Sequence, residues 1–191
     1  MLSSVYGVPF AILWLIWFAY WLLAAFNVKR TQRRERFGSL IITRALLAIG
    51  AFLLAFERQP LSWLSARFLP LSAAFYWIGL AMLAVGLAFT VWARRHLGRN
   101  WSGLVTVKQD HELVRSGPYR LVRYPIYTGL LFGILGTAVA IGEWRGLIGF
   151  ALITIGFVLK LRIEERFMSE TFGEQYARYR AEVPALIPFV V

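Results

Sequence analysis

The chain has 191 residues, 59% of them hydrophobic, and a mean hydropathy of +0.60, well above the roughly 45–50% apolar content of soluble domains. With no cysteine and only two histidines, His96 and His111, it excludes disulfides, thiolate metal sites, cysteine nucleophiles and histidine-rich metal clusters. The net charge of +11 would suit a nucleic-acid partner, but its placement along the chain argues for a membrane topology instead.

Five apolar runs follow one another. Val5 to Phe26 is continuous and rich in Trp and Phe. As a helix it covers about 33 Å, enough for a hydrocarbon core of roughly 30 Å. The N-terminus lacks the basic stretch and small-residue cleavage site of a signal peptide, so this run is expected to be a retained helix. The basic loop KRTQRRERFG leads to a second run, Ser39 to Phe56, whose Arg44 is expected to snorkel. Pro60, Trp63 and Pro70 then mark an interfacial connection with an aromatic anchor. Leu71 to Trp92 is the third run. Ile126 to Ile141 and Gly146 to Leu161 are shorter, about 24 Å each as helices. Only Gly142 to Arg145 joins them, so they read as a helical hairpin. Gly129, Gly133, Gly136 and Ala140 share a face of its first arm, and Gly149, Ile153 and Gly156 a face of its second. Such spacing lets helices approach closely in lipid. The second arm is expected to run on towards Gly173, the first breaker, and the tail AEVPALIPFVV to fold back on the bundle or the membrane surface.

Most of the 21 lysines and arginines follow the first, third and fifth runs. With five crossings they lie on one side, and the positive-inside rule places the N-terminus outside and the C-terminus in the cytoplasm. The expectation is an all-α polytopic membrane protein, a single domain over 1–191, with three N-terminal spans in 1–95. No nucleic-acid partner is expected; the bilayer is the partner.

Between the third and fourth runs hangs a polar stretch, KQDHELVRSGPYRLVRYPIYTG, from Lys108 to Gly129. Gly117-Pro118 and Tyr124-Pro125 break it into an irregular loop, because proline fixes its own φ and pushes the residue before it away from helix. Ordered irregular backbone at a membrane surface has to satisfy its polar groups. A ligand pocket is one way and a tight re-entry turn another. Topology brings this loop to the same side as Lys160–Tyr179. There Glu164 and Glu165 point about 100° apart, so one carboxylate is open to a ligand while the other pairs with a base. The alternative is a solvated face with Arg162 and Arg166 as partners. Lys160 shares a face with Glu164 and could hold an anionic group or snorkel.

HELVRSGPYRLVRYPIYTG, followed by EERFMSETFGEQYARYRAEVPALIP, resembles the isoprenylcysteine carboxyl methyltransferase family over about residues 94–189. The resemblance implies a membrane methyltransferase that uses S-adenosyl-L-methionine, with 96–191 as its catalytic half. Within that half it implies a cofactor loop at 108–129, a hairpin at 126–161 and a C-terminal helix and tail at 162–191. Carried over by position, the cofactor contacts are His111, Glu112, Leu113, Val114, Tyr119, Tyr124, Pro125, Ile126, Tyr127 and Glu164, with a looser match at Lys108. The arginine that orients the acceptor carboxylate aligns with Lys160, with Arg162 as a nearby alternative. Two positions depart from the family: Tyr124 stands where histidine is usual, and Lys160 keeps a charge without the planar fork. The implied acceptor is lipophilic, an isoprenylcysteine or prenylated protein. Phospholipid or small-thiol methylation, and an NADPH-dependent reductase of the sterol type, are the competing readings.

Overall fold

The computed structural model describes residues 2–25, 31–34, 37–56, 61–98, 106–108 and 113–188, with side chains for 7–25, 41–56, 61–98 and 113–188. Among the described residues six α-helices carry the fold: α1 (Leu2–Ala25), α2 (Phe37–Ala55), α3 (Ala73–Leu97), α4 (Pro125–Ile141), α5 (Trp144–Phe172) and α6 (Glu174–Glu182). Three of them contain stretches long and apolar enough to cross a membrane: Gly7–Ala25, Ala73–Leu97 and Trp144–Phe172. Ile41–Ala55 and Pro125–Ile141 are shorter apolar helices. The description is helical as expected except for one short ladder. Strand β1 (Thr31–Arg34) pairs antiparallel with β2 (Thr106–Lys108), Arg33 opposite Val107, with a bulge between Thr31 and Arg33. The ladder ties the segment after α1 to the segment after α3, and β2 lies beside α5.

Small residues decide which helices meet. The glycine face of α4 turns to α3, and that of α5 turns to α2, so the two arms of the hairpin do not spend their small faces on each other. A Cβ on Gly86 would lie 2.4 Å from the Gly129 carbonyl oxygen, and one on Gly129 would lie 2.6 Å from that of Gly86. Backbone meets backbone there, which fits the role of small residues where hydrophobic burial gives no drive to association. One turn-pair away, Gly79 and Gly136 repeat the arrangement, and on the other interface Gly50 sits against Ile153 and Gly149. The helices α4 and α5 turn on Gly142, left-handed at φ +64°.

Two buried arginines cap helix ends. Arg145 donates from Nη1 to the carbonyls of Leu53 (3.1 Å), Leu54 (3.4 Å) and Phe56 (3.0 Å) at the end of α2. Arg94 donates to the Ala24 carbonyl (2.7 Å) at the end of α1 and to that of Gly98 (2.6 Å). The last carbonyls of a helix have no partner within it, and these guanidiniums supply one. Arg44, in contrast, is exposed on the surface of α2.

Helix α5 runs 29 residues without interruption and stops at Gly173, where the sequence places the first breaker. Its last third leaves the apolar bundle and carries the carboxylates.

Candidate active site

Three elements converge beside the polar end of α5: the loop 113–124, the first turn of α4, and α6 with the tail behind it. Glu164 accepts a hydrogen bond from the Tyr127 hydroxyl at 2.7 Å. Lys160, one turn earlier, places Nζ 4.0 Å from the same carboxylate oxygen and 5.4 Å from the centroid of the Tyr127 ring. Both charged side chains are only about a fifth exposed, Lys160 at 19% and Glu164 at 20%, so their attraction is screened less than that of a surface pair. Tyr127 stacks on Phe157 at 4.9 Å, and Tyr124 lies parallel to Tyr127 at 5.7 Å with 2° between the planes. A cation, a carboxylate and a row of aromatic faces thus occupy one site.

The neighbouring carboxylate does something else. Glu165 pairs with Arg123, both side chains being nearly buried, and lies 3.8 Å from Arg180. The Arg123 guanidinium also donates to the carbonyls of Arg180 (3.1 Å) and Val183. Main-chain bonds continue the clamp: Arg123 N to Pro184 O (2.9 Å) and Tyr124 N to Ala185 O (3.0 Å). The Thr128 hydroxyl reaches Leu186 O at 2.7 Å. So the tail does fold back, and it does so against the loop. The Tyr179 hydroxyl donates to the Tyr119 carbonyl at 2.6 Å, Tyr124 and Tyr176 share a hydroxyl contact at 3.1 Å, and Arg115 pairs with Glu182. Burial pushes the phenols of Tyr119, Tyr124, Tyr176 and Tyr179 up from their ordinary range, with neighbouring phenol and carboxylate groups adding to the rise at Tyr119 and Tyr124. They stand as neutral hydrogen-bond donors, not bases.

The sequence-predicted residues divide accordingly. Tyr124, Tyr127, Lys160 and Glu164 come together. Pro125 is buried at the first position of α4, followed by half-buried Ile126. Leu113 packs against Tyr176, Tyr179 and Val183, with Val114 half-buried beside it in sequence. Tyr119 is buried behind the site, its ring stacked on His96 at 6.4 Å, and His96 in turn meets the Ser116 hydroxyl at 2.9 Å. Arg162 is exposed. His111 and Glu112 lie outside the described residues, as does the side chain of Lys108, whose backbone closes β2. Arg123, Phe157, Tyr176 and Tyr179 were not among the predicted site residues. The two tyrosines had a signal in FGEQYARYR, where a spacing of three puts both on one helical face.

Taken together, the fold and the site define a polytopic membrane-protein class with a polar, aromatic-lined site at one end of an apolar helix bundle. The chain belongs to the phospholipid methyltransferase family, whose model matches residues 74–175. It is 32% identical over 121 residues to protein-S-isoprenylcysteine O-methyltransferase B of Arabidopsis thaliana, covering 60% of this chain and 61% of the relative. It is 28% identical over 178 residues to a probable protein-S-isoprenylcysteine O-methyltransferase of Oryza sativa subsp. indica, covering 90% of this chain and 88% of the relative. Its fold is similar to the solved structure of a eukaryotic intramembrane Ras methyltransferase, isoprenylcysteine carboxyl methyltransferase, with a TM-score of 0.52 and 25% identity. That match covers 80% of this chain and 51% of the other. The family shared with the isoprenylcysteine enzymes is the one the central motifs resemble.

Proposed function

We propose that this chain moves a methyl group from S-adenosyl-L-methionine to a lipophilic acceptor, the carboxylate of an isoprenylcysteine or a close analogue. The observation that carries the reading is the half-buried set Tyr127–Glu164–Lys160, flanked by the parallel ring of Tyr124 and backed by Phe157. When bound, the cofactor supplies a methyl group on a sulfonium, which is displaced in line without a metal. The residues fit such a group in chemistry: a sulfonium is a cation, and carboxylate and aromatic faces both attract cations. Glu164, Tyr124, Tyr127, Pro125 and Ile126 would hold it from the helix side. Leu113, Val114 and Tyr119, with His111, Glu112 and Lys108, would hold it from the loop. Lys160 orients an anionic acceptor oxygen, and an ionised carboxylate needs no general base. The neutral tyrosines keep the site free of any further anion that would repel the acceptor.

The matched family model carries a second reading, methylation of a phospholipid amine. Lys160 favours the first, since a cation beside the reacting atoms attracts a carboxylate and repels an amine.

The test is calorimetric titration of S-adenosylhomocysteine, with NADPH as comparison ligand, into detergent-purified protein, followed by methylation assays on farnesylcysteine analogues. Saturable binding of S-adenosylhomocysteine and not of NADPH is expected, and Glu164→Ala, with the fold intact, should lose affinity for S-adenosyl-L-methionine, the ligand that carries the sulfonium. Binding of NADPH alone would move the protein to the reductase reading, and unchanged affinity in Glu164→Ala would refute the site.

A further inference from the structure

A second set of features starts at the end of the bundle away from Glu164 and runs inward as far as Phe157. A cavity of about 1180 Å³ lies between α1 and α2 and reaches α3, α4 and α5 behind them. It exceeds the roughly 300–1,000 Å³ of ordinary small-molecule sites. Its wall is apolar, with Phe10, Trp14, Leu54, Ile134 and Phe157 among the lining residues. Along α5 it extends from Glu143 to Phe157, about 21 Å at 1.5 Å per residue. The acyl chains of one leaflet occupy about 15 Å, half the hydrocarbon core. The cavity is therefore long enough for a lipid chain laid beside the helices.

One end of this apolar space is charged. Arg67, Glu143, Arg145 and Ser72 all line it. Glu143 is shared: its Oε2 accepts from Arg145 Nε at 2.6 Å, and its Oε1 lies 3.8 Å from Arg67 Nη1. Two guanidiniums and one carboxylate leave one positive charge in excess. Arg145 is committed to the carbonyls that end α2. Arg67 is not committed in this way. Its Nε donates to the Leu69 carbonyl at 3.1 Å, while among the described residues its two terminal nitrogens have no hydrogen-bond acceptor. The Arg67 side chain is 35% exposed, so those donors are open at the mouth of the cavity. A guanidinium with spare donors is suited to a phosphate oxygen pair.

We infer that this cavity is a binding site for a membrane phospholipid with an anionic headgroup, its phosphate at Arg67 and an acyl chain lying along α1 and α5 towards Phe157. Charge selects the headgroup, and the aromatic wall holds the chain without selecting it. Only the chain end of the cavity reaches the proposed active site, at Phe157, which backs Tyr127; the charge test is made at Arg67, at the other end, and does not depend on whether the proposed reaction is correct.

Trp14 and Trp17 line the cavity and serve as reporters. The protein is reconstituted into phosphatidylcholine bilayers containing increasing amounts of phosphatidylglycerol with brominated acyl chains, and tryptophan quenching is recorded. Brominated phosphatidylcholine is the reference for lipid that merely surrounds the protein. Wild-type protein is expected to reach half-quenching at about fivefold lower mole fraction of the anionic lipid, the effect of one cation near a headgroup. Arg67→Gln should abolish that preference, Arg67→Lys should retain it, and Ala51→Phe, which fills the cavity wall, should reduce quenching by both lipids. Equal quenching by the two lipids in the wild type would overturn the proposal. So would a preference that survives Arg67→Gln, since the basic residues near Glu164 would then be its source. Displacement of the brominated lipid by a farnesylcysteine analogue would assign the cavity to the acceptor and overturn it too.

Discussion

Each end of the bundle has an arginine, a glutamate and a set of main-chain carbonyls, and the two ends use them alike up to a point. At one end Arg145 pairs with Glu143 and caps α2. At the other Arg123 pairs with Glu165 and holds the carbonyls of Arg180 and Val183. In both, the carboxylate neutralises a guanidinium that also donates from Nη1 to main-chain carbonyls. Such a group is a staple. Glu164 differs in what it meets: a tyrosine hydroxyl at 2.7 Å and a lysine amine at 4.0 Å, beside a row of aromatic faces. The lesson concerns two adjacent glutamates: a near-membrane carboxylate signals function only after its partner's other bonds have been followed.

The largest effect expected is at the first staple. Arg145→Met leaves three helix-end carbonyls without their donor and Glu143 with only Arg67 at 3.8 Å, and breaking a buried pair costs about 3–5 kcal/mol. Thermal unfolding in detergent should show it, with affinity for S-adenosyl-L-methionine unchanged in the folded fraction. Were that affinity to fall as far as in a Glu164 variant, the division between staple and site would fail. Arg123→Met should cost less, about 1.5–3 kcal/mol for charged hydrogen bonds lost, because it frees two carbonyls and not three, and the main-chain bonds of Arg123 and Tyr124 still hold the tail. Limited proteolysis should then cut between α6 and the tail, where the wild type resists.

Glu164→Gln sharpens the comparison from the other side. The amide still accepts from Tyr127 but no longer attracts a cation. Stability should change little, while affinity for S-adenosyl-L-methionine, which carries the sulfonium that S-adenosylhomocysteine lacks, should fall about tenfold to a hundredfold, the worth of a charged contact of about 1.5–3 kcal/mol. A variant that loses stability and keeps affinity would move Glu164 into the same class as Glu165.

Much of this was legible in the chain. Apolar length located the helices, and the divergence of adjacent helical residues separated Glu164 from Glu165. The absence of a breaker before Gly173 carried α5 past the apolar bundle. What was not legible has physical reasons. Small residues on α4 announce a close approach without naming the partner, and the partner is α3, not the next helix in sequence. The strands TQRR and TVK are too short for an alternating pattern. Arg123 was invisible as a clamp because its acceptors are carbonyls 57 and 60 residues away, and every residue type has a carbonyl. Arg145, assigned only to a connecting turn, escaped for the same reason.

The smallest effect tests the tyrosines around the site. Tyr179→Phe removes the hydrogen bond to the Tyr119 carbonyl and should cost about 1 kcal/mol. Its pH dependence separates that bond from mere packing. An unfolded tyrosine ionises near pH 10. Burial holds the folded Tyr179 phenol above that, so between the two values the folded state keeps a proton that the unfolded state has lost. Stability contributed this way is fully present below about pH 10 and falls as pH rises beyond it. Unfolding temperatures of the wild type should therefore be flat from pH 7 to pH 9 and decline above pH 10. Tyr179→Phe should begin lower and decline less steeply, because one such proton is gone from the balance, while Glu164→Gln, which leaves Tyr179 in place, should keep the wild-type slope. Parallel curves for the wild type and Tyr179→Phe would mean that Tyr179 ionises as readily folded as unfolded, and that α6 is held to the loop by its other contacts, Arg123 with the tail, Tyr124 with Tyr176 and Arg115 with Glu182.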